Sequence, residues 1–114
     1  MQKKEIDGII VLEFKGRVVQ ETCDEIEETI GELYKTRKGA KIVIDFSQVS
    51  HVCSAALGIL VFSKKRLKKD GGDIKLVVTS TELMNLFETT LLTKVFDLYT
   101  IQEEAIHHFL NEKN

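Results

Sequence analysis

The sequence predicts a single α/β domain over residues 1–114, with the order β-β-α-β-α-β-α-β-α. Three observations carry that expectation. First, Ile42-Val43-Ile44-Asp45-Phe46 and Ile74–Val78 are short apolar runs rich in β-branched residues, the kind buried on both faces of a parallel sheet. Second, each run is followed by a segment whose apolar residues recur at helical spacing. Third, Asp7-Gly8 sits between two extended runs, a strong hairpin signal that adds an antiparallel pair. Strands alternating with helices imply right-handed crossovers and a mixed, mostly parallel sheet.

Taken in order, residues 2–6 and 9–15 form the hairpin, and Gly16 ends its second strand. A helix starts near Thr22, where Thr22 and Glu25 fit a capping box and Ile26, Ile30, Leu33 and Tyr34 follow on one face. Lys35, Arg37 and Lys38 suit its carboxyl end, and Gly39 terminates it. Residues 41–46 are the next strand, followed by a short turn. A helix then runs from Ser54 to about Lys69, with Leu57, Leu60, Val61 and Leu67 inward and the stems of Lys64 and Lys68 at the margins. It stops at Asp70-Gly71-Gly72. Residues 74–78 form a strand, and residues 80–88 a short helix with Leu83, Leu86 and Phe87 inward. Val95–Leu98 is the last strand. Thr100 and Glu103 fit a second capping box, opening a terminal helix that carries Ala105, Ile106, Phe109 and Leu110. Proline is absent, so none of these elements is broken by one.

Hydrophobic residues at 43% and charged residues at 30% are ordinary for a globular protein. A net charge of -2 gives no reason to expect nucleic-acid binding. No apolar run approaches the roughly 18 to 20 residues that cross a bilayer, so no membrane insertion is expected. Met1-Gln2-Lys3-Lys4-Glu5 has no apolar stretch behind it, which argues against a signal peptide. Cys23 and Cys53 are too few for a secreted disulfide framework, and their pairing is open at this level. A cytoplasmic domain with two reduced thiols is the expectation.

Enzyme signatures are missing. There is no GxxxxGK[ST], GxGxxG, HExxH, CxxC or GxSxG, and no metal or cofactor is expected. His51, Cys53 and Ser54 do cluster, but residues two apart on an extended strand point in parallel and make no base–nucleophile pair by spacing alone. The chain is therefore expected to bind rather than catalyse.

Ser54 has two readings. Serine is a preferred helix N-cap. The same position gathers free N–H groups and the positive end of the helix dipole, a setting that suits an added phosphate of roughly -1.5 to -2 charge. Cys53 is either a small buried hydrophobe or a reactive thiol near a helix start. Ala55, Ile59, Phe62 and Arg66 share a stripe away from the inward leucines. Either a neighbouring helix covers that stripe or Ile59 and Phe62 are part of a partner surface. The Lys64–Lys69 run spreads around the helix and reads as a solvated carboxyl end.

These residues together resemble the STAS domain family, whose name joins sulfate transporters and anti-sigma factor antagonists. The resemblance rests on the hairpin, Gly16, the strand Ile42–Phe46, Ser54-Ala55-Ala56-Leu57-Gly58, Gly71-Gly72, Phe96-Asp97-Leu98-Tyr99 and Glu103-Glu104-Ala105. The chain looks like the small stand-alone bacterial members, the anti-anti-sigma factors. The resemblance implies helices packed mainly on one face of the sheet and a cytoplasmic regulator of transcription. It implies a partner, an anti-sigma factor that is also a serine kinase, and makes Ser54 the phospho-acceptor. His51, Cys53, Ser54, Ala55, Ile59 and Phe62 are the expected partner-binding residues. Oligomeric state is left open.

The chain departs from the family pattern at two places. An acid usually precedes the acceptor serine, where this chain has Cys53, and another usually follows the early glycine, where it has Val19. These departures keep two other readings in play. One is a STAS interaction module in a scaffold or transporter complex that is never phosphorylated. The other is a redox-active thiol protein acting through Cys53.

Overall fold

A computed structural model describes residues 1–112. Its elements are β1 (Gln2–Ile6), β2 (Ile9–Val18), α1 (Gln20–Thr36), β3 (Lys41–Val52), α2 (Ser54–Lys68), β4 (Asp73–Val77), α3 (Thr81–Thr89), a 3₁₀ turn (Leu92–Lys94), β5 (Leu98–Tyr99) and α4 (Gln102–Asn111). The expected order is observed. The strands form one sheet in the order β1-β2-β3-β4-β5, antiparallel between β1 and β2 and parallel elsewhere.

Alternation along the strands divides the core in two. Ile10, Leu12, Ile42, Ile44, Phe46, Ile74 and Leu76 face α1, α2 and α3, which contribute Ile26, Ile30, Leu33, Leu57, Leu60, Leu83 and Phe87. Ile9, Val11, Val43 and Val77 face α4, through Ala105, Ile106 and Phe109. Both sheet faces are thus covered, which is why the strands read as continuous apolar runs. Asp45 and Lys75 are buried charges on the α4 side, and Lys75 is the more enclosed. It is buried beneath Tyr99 and Phe109, bonded to Asp97 (2.9 Å) and Glu112 (2.7 Å).

Several boundaries move from their expected places. β2 does not end at Gly16. It passes through Gly16, at φ +74°, and runs to Val18 with register shifts on either side of that glycine. β3 runs to Val52 rather than stopping near Phe46, because its second half pairs with this continuation. With β2 ending at Val18, α1 must begin at once. Val19 is its N-cap, and Thr22 lies at the third helical position, its hydroxyl accepting the Val19 N–H at 3.4 Å. The Thr22–Glu25 capping box is therefore displaced.

The second capping box also fails. Ile101 caps α4, and the side chain of Gln102 turns to Glu13 (2.7 Å) and Asp45 (2.8 Å), tying α4 to the sheet. Ser80 caps α3 by accepting the Leu83 N–H, so that helix begins a residue later than expected. β5 is Leu98–Tyr99, and Val95, placed in the last strand by sequence, is exposed after the 3₁₀ turn. Leu110, expected inward, is exposed. Between α2 and β4, Gly72 is required by crowding: a Cβ there would lie 2.3 Å from the Ala40 carbonyl oxygen.

Candidate functional site

The candidate site is the corner where β3 passes into α2. The second half of β3 is held by Lys15–Gln48, Gly16–Val49, Arg17–His51 and Val18–Val52 pairing. The ladder closes with the Cys53 N–H donating to the Val18 carbonyl at 3.0 Å. Cys53 is thereby the N-cap of α2, in extended conformation, and Ser54 is its first helical residue. This corrects the reading of Ser54 as the cap. The cap contributes no side-chain bond, and the Ala56 N–H reaches only the Cys53 carbonyl, at 3.1 Å.

Three properties then meet at Ser54. It is exposed. The opening N–H groups of a helix lack intrahelical acceptors and carry its positive end. No acidic residue stands in the first turn of α2 to offset that charge. Beside Ser54 runs a shallow groove of about 560 Å³, lined on α2 by Ser54, Leu57, Gly58, Val61, Phe62 and Lys65 and across from it by Thr90 and Leu92.

The predicted stripe is divided. Ala55 is exposed and Phe62 is 57% exposed, whereas Ile59 is half-buried against the main core. Arg66 lies over the ring of Tyr34 in α1, at 4.3 Å. A neighbouring helix covers part of the stripe and leaves Phe62 open. Val61, expected inward, is half-buried and lines the groove. Sequence reasoning missed Thr90 and Leu92. The signal was Leu91-Leu92 between threonines, two leucines outside any periodic pattern. Leu91, at φ +61°, is 61% exposed.

His51 is exposed on β3 and has no hydrogen bond to Cys53 or Ser54 among the described residues. Cys53 points the other way. Its Sγ lies 3.4 Å from the Sγ of Cys23, in the opening turn of α1. Burial, and then the contact with Cys53, pushes the Cys23 thiol up to about 11. The His51–Cys53–Ser54 cluster is thus not assembled as a nucleophile and base.

Within the lysine run, Lys64 and Lys68 pair with Asp73 and Lys65 faces the groove. Among the described residues, no three His, Cys, Asp or Glu side chains converge as metal ligands. No helix among them is long and apolar enough to cross a membrane.

The fold defines a layered α/β domain, with three helices on one sheet face, one on the other, and an exposed serine and apolar groove at a strand–helix corner. The chain belongs to the STAS domain family, whose pattern residues 1–105 match. It is 28% identical over 89 residues to the anti-sigma-B factor antagonist of Listeria monocytogenes, covering 78% of this chain and 77% of that one. To the anti-sigma-B factor antagonist of Bacillus subtilis it is 35% identical over 69 residues, covering 60% and 63%. The crystal structure of an anti-sigma factor antagonist from Mycobacterium paratuberculosis superposes with a TM-score of 0.82 at 26% identity, over 94% of this chain and 90% of that one.

Proposed function

We propose that this chain, one STAS domain over residues 1–114, is a cytoplasmic anti-sigma factor antagonist that acts by binding and has no catalysis of its own. Its partner is an anti-sigma factor of the serine-kinase type. Ser54 is the phospho-acceptor, and the surface around it, with His51, Ala55, Phe62 and the edge of Ile59, meets the partner. Cys53 supports that surface from below rather than touching the partner. The reading is carried by Ser54 itself, an exposed first residue of α2 without a neighbouring acid and at the rim of an apolar groove. The names of the relatives support the class of partner.

In this mechanism the unmodified hydroxyl sits in a closely packed interface. A phosphate there adds roughly two negative charges, which the N–H groups of α2 stabilise in the free protein and the interface must desolvate. The modified form is stable alone and poor at binding.

The test is binding of purified serine-kinase anti-sigma factors from the source genome to wild type, Ser54→Ala and Ser54→Asp. Ser54→Ala is expected to bind like wild type and to take up no phosphate. Ser54→Asp is expected to weaken binding about tenfold or more, equivalent to about 1.4 kcal/mol. Equal, tight binding of wild type and Ser54→Asp removes the switch.

A second reading is favoured by Cys53. The usual acid is replaced by a thiol turned toward α1, which supplies no charge beside the acceptor. Under this reading the domain is an unphosphorylated interaction module of a scaffold or transporter complex. Mass spectrometry of the protein from its native cells separates the two, because a substantial phospho-Ser54 population excludes the second.

A further inference from the structure

Cys23 and Cys53 are 30 positions apart, on different elements, yet their sulfurs are 3.4 Å apart. Their backbones hang from adjacent residues: the Cys53 N–H donates to the Val18 carbonyl (3.0 Å) and the Cys23 N–H to the Val19 carbonyl (2.9 Å). The two thiols are therefore held together by the end of β2, and not by two flexible loops that happen to meet. Covalent bonding needs the sulfurs to close from 3.4 Å to about 2 Å.

We propose that Cys23 and Cys53 are a redox modification site at which a peroxide converts the thiol pair to an intramolecular disulfide, clamping the opening turn of α1 to the cap of α2. The two sulfurs differ in access. Cys53 is half-buried and meets the oxidant, whereas Cys23 is fully buried and reacts only through its neighbour. In the first step the Cys53 sulfur attacks one peroxide oxygen, the O–O bond breaks, Cys53 becomes a sulfenic acid and one water leaves. In the second the Cys23 sulfur attacks the Cys53 sulfur, the S–O bond breaks, and the departing hydroxide takes the Cys23 proton to leave as a second water. Two thiols are oxidised by two electrons and one peroxide is reduced to two waters. The bond fixes the residue immediately before Ser54, but its formation does not depend on Ser54 being phosphorylated.

The experiment treats the folded native chain with a small excess of hydrogen peroxide and follows thiol titration, intact mass and non-reducing peptide maps. The expected result is loss of both thiols, a mass lower by two hydrogens, a Cys23–Cys53 cross-linked peptide within one chain, and full reversal by dithiothreitol. In Cys23→Ser, Cys53 is expected to stop at a sulfenic acid that dimedone traps, a signal depleted several-fold in wild type. In Cys53→Ser, Cys23 is expected to remain a free thiol. The proposal is overturned if Cys53 proceeds to sulfinic acid without a cross-link, if both thiols survive peroxide, if the bond joins separate chains, or if wild type and Cys23→Ser trap equal amounts of dimedone.

Discussion

Phe62 and Leu60 are two positions apart on α2 and have opposite surroundings. Phe62 is 57% exposed, whereas Leu60 is fully buried among the helices and the sheet. Removing a mostly hydrated ring costs the fold little, so Phe62→Ala is expected to shift unfolding free energy by no more than about 0.5 kcal/mol. The same change is expected to weaken binding to the proposed anti-sigma factor partner several-fold, since aromatic side chains are common anchors of interfaces. Leu60→Ala, in contrast, opens a cavity and should cost about 2–5 kcal/mol in urea denaturation. A Phe62→Ala protein that loses stability as Leu60→Ala does would place Phe62 in the core and remove it from the surface. Ser54 was legible because serine, small residues and glycine follow a β-branched run. That Cys53 rather than Ser54 caps the helix was not, because the cap depends on a hydrogen bond to Val18, 35 positions earlier by the numbering.

At the scale of the element, α2 serves both fold and surface, and two glycines, Gly58 within it and Gly72 just beyond it, separate these duties. Gly58 is helical, and a Cβ there meets nothing within 4 Å. Replacing a helical glycine by alanine removes freedom from the unfolded chain, so Gly58→Ala is expected to stabilise the protein by about 0.5–1 kcal/mol. Gly58 also lines the groove, so the added methyl is expected to weaken partner binding while stability rises. Gly72→Ala has the opposite character. Its Cβ would sit 2.3 Å from the Ala40 oxygen, and the clash with backbone should cost about 2–3 kcal/mol by urea titration. A neutral Gly72→Ala would mean that the α2–β4 turn can move away from β3. The length of β3 was the main element that sequence reading missed. Ser47-Gln48-Val49-Ser50-His51 is too polar to read as buried strand, and only pairing with β2 beyond Gly16 extends it.

At the scale of the molecule, the α4 layer is joined to the sheet through Lys75. Burial alone would lower its ammonium, but the carboxylates of Glu112 and Asp97 outweigh burial and hold it above its ordinary 10.5. In return, the bond from Lys75 holds Asp97 below its ordinary 3.8 against the opposing effect of burial. A lowered carboxyl contributes stability that is complete above pH 3.8 and lost as pH falls through the folded value. A raised ammonium contributes stability that is complete below pH 10.5 and lost as pH rises through the folded value. Tyr99, raised above 10.0 by burial, adds to the alkaline loss. Lys75→Ala should cost about 1–2 kcal/mol at neutral pH, since Asp97 and Glu112 can rehydrate once freed. Lys75→Met keeps the apolar stem beside Phe109 and should be close to neutral at that pH, with a flatter stability profile at both extremes. Urea midpoints measured from acid to alkaline pH check this, and an unchanged profile in Lys75→Met would remove Lys75 as the titrating link.

The order of strands and helices, the hairpin at Asp7-Gly8, the buried central strands and the prominence of Ser54 follow from the order of residues along the chain. These depend on local turn chemistry and on the periods of helix and strand, both carried by neighbouring residues. The tertiary structure alone decided where β2 and β3 end, which face of α2 stays open, and that Cys53 turns to Cys23 rather than to His51. Each of these is settled by a partner far along the chain, through a ladder bond, a covering helix or a thiol 30 positions away, and residue spacing carries no record of such partners.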